Sequence, residues 1–167
     1  MLTKGKTFFL LSLVILAVIT AGLLCFTLYS DAASKYSGDS NKQLQSRASE
    51  LVKKTRDLVD SFYKKDRELM FDYQKNYLSS RTTERETIRE QYANNLKQAN
   101  DSTVRAYKEN LLPESKAVRT ELHRRLPPRM QYSNVTKMYE KLSIVMEIQI
   151  IADDLELLSK SLPDTSR

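Results

Sequence analysis

The chain has 167 residues, a formal net charge of +6 and 41% hydrophobic side chains, which leaves room for one membrane span and one modest domain but not for two independent domains. Three glycines and four prolines are too few turn residues for a many-stranded sheet. The expected class is therefore all-α: a single N-terminal transmembrane helix followed by an antiparallel bundle of three to four helices with coiled-coil-like seams.

Residues 1–7 carry Lys4 and Lys6, and from Phe8 to Tyr29 there are 22 residues without a charge. As a helix that run is ~33 Å long at ~1.5 Å per residue, enough for a hydrocarbon core of ~30 Å. A cleaved secretory signal has a shorter apolar region of ~7–15 residues, so residues 8–29 read as a signal-anchor. The two lysines place residues 1–7 in the cytoplasm by the positive-inside rule and put the domain outside, in the periplasm or at the cell surface of a bacterium. Without those lysines 25 basic residues face 21 acidic ones, a balance of +4. They are interspersed along the chain, the pattern of a solvated surface and not of a nucleic-acid stripe.

Residues 30–40 are small and polar and form a linker, with Asp39 or Ser40 placed to cap a helix. Leu44, Ala48, Leu51, Thr55, Leu58 and Phe62 then follow alternating steps of four and three, the seam of a bundle helix. After Phe62 the register rotates onto Leu69, Tyr73 and Tyr77, which predicts packing in a globular bundle more than in a regular rod. The aromatic-rich stretch Phe62, Tyr63, Phe71, Tyr73 and Tyr77 reads as core, with a ligand-binding or partner-binding face as the alternative. Ser79-Ser80 and the box Thr83-Glu84-Arg85-Glu86 predict a break and a new helix over roughly 83–111.

Pro113 ends or kinks that element before Val118, Leu122 and Leu126 continue an apolar stripe, and Pro127-Pro128 forces a turn. A last helix is predicted from Ser133 or Asn134 to Leu162, stopped by Pro163, with residues 163–167 as a tail. Ile144, Ile148, Ile151, Leu155, Leu158 and Leu162 make it the most deeply buried helix, and Glu147, Asp153, Asp154 and Glu156 give it an acidic outer face. The bundle thus spans 41–162.

The single cysteine, Cys25, lies in the apolar run, which rules out an intrachain disulfide or a multi-thiolate metal site. One histidine, His123, and no repeated carboxylate-histidine spacing leave no expected metal site, cofactor or catalytic residue. The segment from His123 to Arg129 sets Arg124, Arg125 and Arg129 around a rigid turn, a candidate site for an anion or an acidic partner. Asn100-Asp101-Ser102 and Asn134-Val135-Thr136 fit the glycosylation pattern.

These features point to a membrane-anchored, non-enzymatic helical module that binds another envelope protein or its own copy. One span followed by a helical bundle also resembles the first part of bacterial receptor input modules, which implies an extracytoplasmic sensor or ligand-binding domain. The same layout is similar to phage inner-membrane spanins, which implies a lysis protein.

Overall fold

A computed structural model describes residues 35–127 and 133–163, with the side chains of Ser133 and Asn134 left aside. The expected cytoplasmic segment and span, part of the linker, Arg129 and the tail from Asp164 lie outside the described residues. Among those described, no helix is long and apolar enough to cross a membrane.

Among the described residues the fold is all-α, with five helices where three to four are expected for the bundle. They are α1 (Asn41–Ser79), α2 (Arg85–Asn110), α3 (Leu112–Arg125), α4 (Ser133–Glu140) and α5 (Val145–Lys160). Ser40 starts α1 through a capping box: its Oγ accepts from the Gln43 amide while the Gln43 side chain accepts from the Ser40 amide. The helix then runs for 39 residues, ~58 Å, to the break expected at Ser79-Ser80.

The Thr83 box does not form. Glu84 occupies the cap position without a side-chain cap bond, and its carboxylate instead accepts from the Arg81 amide. Helix α2 then passes Asn100-Asp101-Ser102 without interruption. Pro113 sits in the first turn of α3, where its missing amide hydrogen leaves no intrahelical bond unmade.

The predicted last helix is two helices. Between them the Glu147 carboxylate turns back to accept from the amides of Ser143 (2.6 Å) and Ile144 (3.1 Å), while Asn100 of α2 accepts from the Val145 amide (3.1 Å). Four residues therefore leave the helix without help from glycine or proline.

Helices α1 and α2 form an antiparallel hairpin, and α5 lies antiparallel to the first half of α1. Gln45 donates to the Ser159 carbonyl and Asn41 to that of Pro163, while Arg56 bridges Asp153 and Glu156. The base core joins Leu44, Ala48, Leu51 and Val59 of α1 to Leu122 of α3 and to Ile148, Ile151, Leu155 and Leu158 of α5. Helix α5 is the deeply buried one, as its stripe predicts, although Ile144 and Met146 face solvent.

Beyond Val59 and before Val104 no side chain on either strand of the hairpin is buried. Helix α5 starts beside Asn100, so past that level the seam has lost its third wall. The outer hairpin is held by half-covered contacts. Tyr73 packs on Tyr77 and Tyr92 at centroid distances of 5.4 and 5.0 Å, Arg85 lies over Tyr77, and the Tyr92 hydroxyl donates to Asp66. The reading of the aromatic stretch as core is corrected here: Phe62, Tyr73 and Tyr77 are half-buried, while Tyr63 and Phe71 are exposed.

Candidate functional site

Three places gather the chain's polar and charged chemistry. At the end of α3, Glu121 is fully buried, and both expected anion-site arginines of the described residues converge on it. Arg124 donates to it through Nε (2.9 Å) and Nη2 (2.6 Å), and Arg125 through Nε (2.7 Å). Arg125 also donates to the Tyr36 carbonyl and to Asn41 Oδ1, tying the segment before α1 to the bundle. Burial by itself raises the Glu121 pKa, but the two guanidiniums bring it below the ordinary carboxylate value. Arg124 and Arg125 are thus adjacent, as the sequence expects, around a carboxylate that shares their charge; Arg129 lies outside the described residues.

Behind this corner Arg119 donates to Asp154 at 2.7 Å, with side-chain exposures of 11% and 3%. The acidic outer face expected for the last helix therefore loses Asp154, which points inward. Arg119 also lies over the Tyr139 ring, and its Nη1 donates to the Thr136 hydroxyl. Next to it both ring nitrogens of His123 are buried without a hydrogen-bond partner, and so is the Tyr139 hydroxyl. Burial, and then the Arg119 charge, lower the His123 pKa. The neighbouring Tyr107 donates to Ser115, and burial pushes its pKa up to about 12. Among the described residues no group of three His, Cys, Asp or Glu side chains is placed to hold a metal ion.

The third place is the surface of the outer hairpin. Phe71 and Leu78, 67% and 79% exposed, stand seven residues apart on the face of α1 turned away from α2. Tyr63 and Met70 edge the same face. Lys64, Arg67 and Lys75 flank it, exposed, and their side chains form no ion pair with a described residue. Between α1 and α2 a shallow groove of about 530 Å³ runs along Leu58, Phe62, Leu69 and Ala99. Another groove of about 530 Å³ lies between α1 and α5, lined by Val52, Arg56 and Glu156. Of this apolar face the sequence reading takes Tyr63 and Phe71 as core and singles out neither Met70 nor Leu78. The signal that marks it is a second stripe on α1, rotated from the first.

Asn100, one of the two asparagines that fit a glycosylation pattern, is engaged on both sides of its amide. Its Nδ2 donates to the Ser143 carbonyl while Oδ1 accepts from Val145. Comparison with known protein families, curated proteins and solved structures finds no match to this chain.

Proposed function

We propose that this protein is a membrane-anchored, non-enzymatic helical module whose outer hairpin is a protein-binding surface, taking another envelope protein or a second copy of the chain. The observation that carries this reading is the outer face of α1. Large apolar and aromatic side chains grouped at helical spacing on an exposed face, with Arg67 among them, fit an interface, since such side chains gain free energy only when something covers them. The anchor comes from the 22 uncharged residues of 8–29. Helix α1 then sets the hairpin tip ~58 Å from the start of the bundle, a reach suited to meeting a partner away from the anchor.

The buried polar groups favour a structural role over chemistry. Glu121 and Asp154 are each engaged by arginine, and neither lines the two grooves beside α1. The test is crosslinking in native cells with tagged full-length protein, followed by identification of what is captured. A defined envelope protein or a second copy is expected, and Phe71→Asp with Leu78→Asp should abolish its capture. Unchanged capture by that double variant, or no capture by the parent, would sink the proposal.

A further inference from the structure

We infer that the occupant of the outer α1 face is the exposed face of α5 from a second copy of this chain. The inference rests on the binding-module reading and names its partner. All the large hydrophobic side chains exposed among the described residues fall on two surfaces, the outer half of α1 and the α5 segment. On α5 the exposed stripe is Met146, Ile150, Asp153 and Leu157, with Met146 and Leu157 61% and 48% exposed and Ile150 half-covered. Its steps are four, three and four. On α1 the stripe Tyr63, Arg67, Met70 and Gln74 has the same steps, with Phe71 and Leu78 beside it. Equal steps let two helices interlock along one seam, as side chains of a coiled coil do.

Charge sets the direction of the pairing. The exposed face of α1 carries Lys64, Arg67 and Lys75 beside Asp60, Glu68 and Asp72, with Arg67 the one charge inside the stripe from Tyr63 to Gln74. The α5 stripe instead carries an acid in its middle, Asp153, with Glu156 on the adjoining turn. Running the helices antiparallel sets Tyr63 against Leu157, Arg67 against Asp153, Met70 against Ile150 and Gln74 against Met146. Running them parallel sets Arg67 against Ile150 and Met70 against Asp153, burying a charge against an apolar group at two levels, which is costly. The antiparallel register alone sets the arginine against the acid and Met70 against Ile150. Asp153 already accepts from Arg56 of its own chain at 3.0 Å and keeps enough exposed surface to accept from a second arginine.

Since α5 is antiparallel to α1 within a chain, this register makes the two copies parallel, with both N-termini directed the same way. The contact is head-to-tail: one copy gives its α1 face, the other its α5 face.

The test uses full-length chain in mild detergent with Cys25→Ser, so that no native thiol remains, and adds Gln74→Cys in one preparation and Met146→Cys in another. A short thiol crosslinker should join the two when they are mixed and join neither to itself. Arg67→Asp on the Gln74→Cys chain should lower the crosslink yield about tenfold, and Asp153→Arg on the Met146→Cys chain should restore it, because the swapped charges again attract. A crosslink between two Gln74→Cys chains, or an unchanged yield with Arg67→Asp alone, overturns the inference. If no 74–146 crosslink forms while the native-cell experiment captures a different, identified protein through the hairpin, the inference falls and the binding-module reading stands. If both experiments come back empty, both fall.

Discussion

Along α1, the half before Val59 and the half after it carry comparable apolar repeats and end in different surroundings. In the base, Leu44, Ala48, Leu51, Thr55 and Val59 are sealed by α2, α3 and α5. In the outer hairpin, Leu69, Tyr73 and Tyr77 turn toward α2, and this two-helix seam leaves them half-buried. A repeat decides which face of a helix turns inward, and the number of neighbouring helices decides how far that face is dried. Stability should therefore be concentrated in the base, and the hairpin should tolerate change.

The largest expected difference comes from truncation at matched leucines. Leu122→Ala, at a fully buried site of the base, should lose about 2–5 kcal/mol in denaturant unfolding, whereas Leu69→Ala in the hairpin should lose about 1 kcal/mol. Equal losses would break the comparison. Arg119→Ala should match the base leucine at about 3–5 kcal/mol, because it strands the Asp154 carboxylate in the interior.

Next is the corner at Glu121. Glu121→Gln should lower stability by about 2 kcal/mol, through the lost charge-assisted bonds to Arg125 and Arg124. Arg124→Ala should cost less than Glu121→Gln in the same unfolding measurement, since that side chain is half in water. Because the folded pKa of Glu121 is lowered, its stabilisation is fully present above the unfolded carboxylate value of ~4.3 and is lost as pH falls through the folded value. Acid unfolding of Glu121→Gln should accordingly be shallower below pH ~4.3 than that of the parent.

His123 acts in a milder pH window. Its folded pKa is lowered, so between the unfolded value of ~6.5 and the folded one the unfolded chain binds more protons, and stability falls on acidification. The parent should lose thermal stability from pH 7.5 to pH ~5.5, and His123→Gln should lose less. An identical slope in both proteins would show that the imidazole is not held neutral. The smallest effect belongs to the hairpin surface, where Phe71→Ser and Leu78→Ser should each stay within about 0.5 kcal/mol of the parent.

What could be read beforehand was whatever depends on near neighbours in the chain. The seam from Leu44 to Thr55, the Ser40 cap, the stop at Ser79-Ser80 and the start of α3 at Pro113 each rest on residues within about one turn of one another. The clustering of Arg124 with Arg125 was visible too. Glu121 three and four residues earlier was equally visible as their helical partner, and it was missed because positive charge alone was counted. The aromatic stretch was misread for a different reason: helical spacing says that Phe71 and Leu78 share a face, and says nothing about whether another helix covers it.

The sequence by itself determined the all-helical class and the inward seams from Leu44 to Thr55 and from Ile148 to Leu162, because helix propensity and a 3.6-residue repeat are local properties of the chain. Only the tertiary structure decided that the last stripe breaks into α4 and α5, that Asp154 turns inward to Arg119, and that no other described helix covers the outer face of the hairpin. Each of those outcomes depends on a side chain or a helix brought in from tens of residues away: Asn100 at the Val145 amide, Arg119 at Asp154, and α5 ending its cover of the hairpin at Asn100. Contacts between distant parts of the chain are set by packing free energy summed over the whole core, which no local pattern records.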